Sequence, residues 1–157
     1  MKNKIIFALG SNLGNRKSNL TKAVLELEKS LSLEDIKTSK ILKNKALLLP
    51  DSPKEWNIDF YNAALSADID IKEFPPLKIL EICQETEKKL GRIDRGKWSP
   101  REIDIDILAI DTLTINIDDK LSIPHKELFN RQFFISRFGQ IEPELLYQLS
   151  SKIHAKS

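Results

Sequence analysis

Residues 103–110 read Ile-Asp-Ile-Asp-Ile-Leu-Ala-Ile, an apolar and acidic alternation with a period of two. That period is a strand's: Asp104 and Asp106 fall on one face and Ile103, Ile105 and Ile107 on the other. Two carboxylates side by side repel and raise one pKa unless a cation or proton intervenes. A divalent metal with oxygen ligands is the natural resident; a solvated strand face is the plainer alternative. The segment just before it bears on the choice. Arg92, Arg95, Lys97 and Arg101 crowd between Gly91, Gly96 and Pro100, which predicts a loop carrying positive charge beside the acidic pair. Metal-binding acids next to loop arginines suit polyphosphate chemistry, where magnesium bridges phosphate oxygens and arginines neutralise charge as a bond to phosphorus breaks. A basic loop with no such task would carry the same residues.

A length of 157 residues predicts one domain, residues 1–157, with residues 150–157 as a polar tail. The net charge of +2 is too small to argue for nucleic acid by itself. Cys83 is the single cysteine, which excludes an internal disulfide framework and a cysteine zinc site. The first ten residues hold an apolar run of only five, and no stretch approaches the ~20 apolar residues of a membrane span, so the expected location is the cytoplasm.

The remaining chain alternates strand and helix patterns. Residues 4–9 read as a buried strand. Residues 10–15 read as a tight turn into a helix over 16–31, with Asn15 as cap and Leu20, Val24, Leu27 and Leu31 as its core stripe. A phosphate loop is rejected there, because no Gly-Lys-Ser/Thr follows. Residues 33–44 read as one strand running into a long connection through Asp59, where Trp56 is either a stacking ring or a pin for the loop. Residues 60–71 read as a strand that puts Phe60 and Asn62 on one face. A ring and a carboxamide together suit a flat heterocycle; a core phenylalanine beside a strand-edge asparagine is the alternative. Pro75 and Pro76 open a helix to Leu90, closed by Gly91, with Ile79, Leu80, Cys83 and Leu90 inward. Gln84 and Glu87 share another face, solvated or turned to a ligand. Residues 111–117 read as a hairpin return from the acidic strand, 118–120 as a turn, and 121–123 as a short extended piece. Residues 135–149 are amphipathic around Pro143. The order strand, helix, strand, strand, helix, strand predicts an α+β protein: a ferredoxin-like α/β sandwich with a mainly antiparallel sheet and helices packed on it.

Four segments carry a resemblance: Ala8-Leu9-Gly10-Ser11-Asn12-Leu13-Gly14; Phe60-Tyr61-Asn62-Ala63-Ala64; Gly91-Arg92 followed by the run from Trp98 to Leu108; and Ile123-Pro124-His125 with Asn130-Arg131-Gln132-Phe133. In this order they resemble the 6-hydroxymethyl-7,8-dihydropterin pyrophosphokinases of folate biosynthesis, over roughly residues 4–147. The resemblance implies the same fold and transfer of pyrophosphate from ATP to the pterin, giving AMP. It implies Asp104 and Asp106 as ligands of two magnesium ions, with Arg92 and Arg101 as further catalytic residues. Gln84, Glu87, Ile107, Lys120, Ser122, His125 and Arg131 are implied to bind ATP, and Phe60, Asn62, Trp98 and Phe133 the pterin. Arg95 and Lys97 receive no role. The chain departs from the common bacterial pattern at residues 42–46, Leu-Lys-Asn-Lys-Ala, where a Tyr-x-Thr-x-Pro stretch is usual. Its longer loop is similar to that of relatives fused to dihydropteroate synthase, which is the implied partner, fused or alongside; neither nucleic acid nor membrane is implied. A ferredoxin-like RNA-binding module and a catalytically idle interaction domain are the alternatives from other classes.

Overall fold

The computed structural model describes residues 2–45, 48–93, 96 and 99–155. In it a central strand β1 (Asn3–Ser11) pairs antiparallel with β4 (Phe60–Ile69) on one side and β5 (Asp104–Ile110) on the other. The far edge of β4 is shared by β2 (Glu34–Thr38) and β3 (Leu42–Asn44), giving the order β2-β4-β1-β5. With α1 (Arg16–Ser30) after β1 and α2 (Pro76–Lys89) after β4, this is the expected ferredoxin-like arrangement of two interleaved β-α-β units.

Alternation along β1 divides the core. Ile5, Phe7 and Leu9 pack with Leu20 and Leu27 of α1, with Leu31 just after it, and with Ile79 and Cys83 of α2. Ile6 and Ala8 face the other way, onto Phe134 and Phe138 of α3 (Gln132–Ile141) and Leu149 of α4 (Pro143–His154). Leu27 has no solvent exposure, so its truncation to alanine is expected to cost about 2–5 kcal/mol. Asn15 caps α1, its side chain accepting from the Ser18 N–H at 3.1 Å. Gly14 just before it has φ of 73°, a conformation that glycine adopts without strain.

Register across the sheet places the polar residues. Asn62, Gly10 and Asp104 form one row over β4, β1 and β5, and Ala64, Ala8 and Asp106 the next. Beyond them the pairing shifts: Phe7 opposes Ile107 and Ile6 opposes Ala109, so Leu108 is the extra residue of a β-bulge. Its carbonyl accepts the His125 N–H at 2.9 Å.

Three sequence expectations are corrected. Residues 33–44 form two strands, because the Ser39 hydroxyl accepts the Ala64 N–H and the Lys40 N–H donates to Gln140, which breaks the ladder between them. The strand after Asp111 does not return along β5: β6 (Ile115–Ile117) pairs with β7 (Leu121–Ile123) in a separate two-stranded sheet. Residues 150–154, expected in a polar tail, continue α4, which buries Leu149 and is tied by Lys152 to the Thr112 carbonyl. Among the described residues no helix is long and apolar enough to cross a membrane.

Candidate active site

The face of the sheet bearing Asn62, Gly10 and Asp104 carries an open cavity lined by Phe60, Asn62, Asn44, Gly10, Arg101, Asp104, Asp106, Arg131, Phe133 and Phe134. Phe60 and Asn62 share this face by the strand period. Asn62 is 4% exposed and donates through its amide nitrogen to the Asn44 side chain, which β3 brings alongside. Gly10 is the floor. A Cβ there would stand 3.0 Å from Asn62 Oδ1 and 3.4 Å from Phe60 Cδ1, so only glycine leaves the amide and ring in place.

The acidic pair lines the same cavity. Arg92 Nη1 donates to Asp104 Oδ1 at 3.0 Å and to Glu87 Oε2 at 2.7 Å, and Arg101 Nη1 is 3.4 Å from Asp104 Oδ2. Burial, then repulsion from Asp106, pushes the Asp104 carboxyl above its usual range, while Arg101 and Arg92 oppose the shift. Glu87, on the α2 face above the strand, also accepts the Ile105 N–H at 2.8 Å. Its carboxyl is pushed up to about 7, first by burial and further by Asp104 and Asp106, against the pull of the Ile105 N–H and Arg92.

A second groove lies across Asp106, lined by Ile107, Lys120, Ser122, His125 and Lys126 together with Asp118 and Asp119. Asp106 lines both cavities. His125 Nδ1 accepts the Glu127 N–H at 3.0 Å, which leaves Nε2 as the protonated nitrogen of the neutral ring, 3.6 Å from Asp106 Oδ1. A third groove carries Gln84, Glu87, Arg92 and Arg101. Arg101 belongs to this groove and to the aromatic cavity, so the aromatic cavity adjoins both grooves, the third through Arg101 and the second through Asp106.

Residues 6–143 match the family model for 7,8-dihydro-6-hydroxymethylpterin-pyrophosphokinase (HPPK). The chain belongs to this family. It is 39% identical to a folate synthesis bifunctional protein of Chlamydia caviae, over 98% of this chain and 34% of that protein. It is 34% identical to the 2-amino-4-hydroxy-6-hydroxymethyldihydropteridine pyrophosphokinase of Aquifex aeolicus, over 94% of this chain and 86% of that one. The chain thus spans about a third of the length of the Chlamydia relative. Among solved structures, wild-type HPPK-DHPS of Plasmodium falciparum superposes with a TM-score of 0.62 at 17% identity, over 99% of this chain and 46% of that one, a likeness of fold.

Within this HPPK-family fold, Phe60, Asn62, Phe133, Arg101, Asp104 and Asp106 come together in one cavity, and Ile107, Lys120, Ser122 and His125 in the adjoining groove. Ile107 is 4% exposed, with most of its side chain in the core. Gln84 is exposed at the rim of the third groove. Arg131, grouped by sequence with the phosphate-binding residues, lines the aromatic cavity instead, because the turn after Asn130 starts α3 there. Trp98, Arg95 and Lys97 lie outside the described residues. Trp56 is not among the residues lining the cavity; its ring edge lies beside Gly96, where an added Cβ would be 3.9 Å from Cη2.

Sequence reasoning passed over Asn12. It is 1% exposed, and its Oδ1 accepts the Arg101 N–H at 2.8 Å while Nδ2 donates to the Ile58 carbonyl at 3.3 Å. The side chain therefore joins the end of β1 to both loops around the cavity. A polar residue directly after a strand's last buried position was the available signal, since a buried amide needs such partners.

Proposed function

We propose that this chain transfers the β,γ-pyrophosphoryl group of ATP to the hydroxymethyl oxygen of 6-hydroxymethyl-7,8-dihydropterin. A bond forms from that oxygen to the β-phosphorus, the bridge between α- and β-phosphorus breaks, AMP leaves with the electron pair, and the hydroxyl proton is released. The observation that carries this reading is the position of Asp106, a shared wall of an aromatic and amide cavity and of the groove that holds Lys120, Ser122 and His125. Substrates seated in the two spaces would meet over the acidic pair.

Phe60 and Phe133 supply ring faces to a bicyclic heterocycle, and Asn62 supplies an amide to its polar edge. Lys120, Ser122 and His125 face the phosphates from the groove, with Gln84, Glu87 and Ile107 completing the nucleotide side. Arg92 and Arg101 stabilise charge that develops on the transferred group. Arg131 lies on the acceptor side of that group.

The donor set fits magnesium. Among the described residues no group of three or more His, Cys, Asp or Glu is arranged to hold an ion alone. Two hard carboxylates with room for phosphate oxygens and water are how that ion is usually bound. Asp104 and Asp106 would hold two such ions. Bound there, magnesium neutralises phosphate charge and aligns the phosphate oxygens. We further propose that the 157 residues act as one cytoplasmic domain, joined to or working beside a dihydropteroate synthase, a reading supported by the bifunctional relatives. Carboxylates at the centre of the site disfavour an RNA phosphate backbone as its occupant.

The test is product analysis with ATP and magnesium, with and without the hydroxymethyl-dihydropterin. Pterin-dependent AMP is the expected product. ADP would replace this reading with γ-phosphoryl transfer, and no turnover would leave a binding module.

A further inference from the structure

Phe134 is 1% exposed, yet three of its neighbours are polar or site-lining groups rather than core filler. The His125 ring meets it edge to face, with centroids 5.2 Å apart and planes at 73°. The Arg131 guanidinium lies over it, 5.3 Å from the centroid, and Phe133 packs against it at 4.7 Å and 63°. These neighbours belong to different spaces: His125 lines the second groove, with Lys120 and Ser122, whereas Arg131 and Phe133 line the aromatic cavity.

We infer that Phe134 is a positioning residue that holds His125, Arg131 and Phe133 in one arrangement and so couples the phosphate side of the site to the acceptor side. This rests on the function proposed above. His125 is already restrained at its nitrogens, by the Glu127 N–H at Nδ1 and by Asp106 opposite Nε2. Those two contacts leave the tilt of the ring about the line through them undetermined. An edge-to-face partner sets it, because the electron-rich face of one ring attracts the positive edge of the other. The same π system holds a guanidinium by cation–π attraction. Phe134 can act as a fixed reference because α3 anchors it: its N–H donates to the Arg131 carbonyl at 3.1 Å, and Phe138, with no solvent exposure, packs with it in the core cluster against Ile6 and Ala8 of β1. An aliphatic side chain of similar volume keeps the packing and loses both directional contacts.

The experiment compares Phe134→Leu and Phe134→Met with the wild type in pterin-dependent AMP formation, alone and in His125→Ala and Arg131→Ala backgrounds. Expected is a roughly tenfold fall in kcat/KM for each single Phe134 variant, shrinking to less than about threefold when His125 or Arg131 is already absent. In the ligand-free protein, the His125 ring-proton resonance, identified as the one that survives in a His154→Gln variant, moves on the Phe134→Leu change. Costs that stay undiminished in both backgrounds, or an unmoved His125 resonance, would reduce Phe134 to core packing. Should Phe134→Leu not fold, Phe134→Met decides by the same readouts. A wild type that forms no AMP would instead overturn the proposed function, and the resonance would still report on Phe134.

Discussion

Asp104 is gripped by two arginines of the basic loop at once: Arg92 Nη1 lies 3.0 Å from its Oδ1 and Arg101 Nη1 3.4 Å from its Oδ2. In the ligand-free protein the guanidinium groups thus compensate the carboxylate that a cation would need. Phosphates offer them a better partner, since bidentate contacts to phosphate suit their planar fork. Magnesium alone is therefore expected to bind weakly, and at least about tenfold more tightly once ATP is present, as read by titration calorimetry. Equal affinity in both titrations would show that the arginines do not compete.

Asp104→Ala is expected to lower turnover by about a thousandfold or more. The midpoint of thermal unfolding should move by only a few degrees, because a partly exposed side chain is lost and no core contact goes with it. A large fall in the midpoint would assign Asp104 to stability instead.

Gly10→Ala places its Cβ 3.0 Å from Asn62 Oδ1. The amide must shift, so the KM for the pterin is expected to rise about tenfold while the KM for ATP stays within about twofold. A change confined to the ATP term would place the heterocycle elsewhere.

Asn12→Ala strands the Arg101 N–H and the Ile58 carbonyl that the amide now satisfies. The expected loss is about 1–3 kcal/mol in denaturant unfolding, together with a lower kcat. Asn12→Asp keeps the acceptor for Arg101 and should lie between the two. An unchanged kcat in Asn12→Ala would show that anchoring Arg101 does not matter to turnover.

Glu87 gives a pH dependence whose sign follows from its shift. Its carboxyl is raised from 4.5 to about 7 in the folded state, so the folded form holds the proton more tightly than the unfolded form. The resulting stability is fully present below pH 4.5 and is lost as pH rises through about 7. Metal-free protein is therefore expected to lose up to about 3 kcal/mol from this group between pH 5 and pH 8. Glu87→Gln should flatten that slope, as measured by denaturant titration at each pH; a slope that persists would locate it in another group.

What the sequence disclosed about the site was mostly what a period can carry. Asp104 with Asp106, and Phe60 with Asn62, share faces because β residues two apart must. The row joining Asn62, Gly10 and Asp104 was not legible, since it depends on the register of three strands far apart in the chain. Apart from the resemblance, which implied it on the ATP side, Glu87 was visible only as a helix position beside Gln84; nothing local says that the Ile105 N–H will end beneath it. The separation of β2 from β3 turns on Gln140, about a hundred residues away. The extension of α4 was within reach: Leu145, Leu149 and Ile153 recur every four residues, and the polar residues between them hid that stripe. β6 and β7 are three residues each, too short for pattern to name a partner.

The outer edge of β5 has a further meaning. β5 pairs with β1 on one side only, and an unpaired strand edge invites another chain to add to it. Here the Glu87 carboxylate accepts the Ile105 N–H and the His125 backbone N–H donates to the Leu108 carbonyl. Residues that line the candidate site thus also blunt the border of the sheet against edge-to-edge association, tying colloidal behaviour to the Glu87 carboxylate and the His125 backbone.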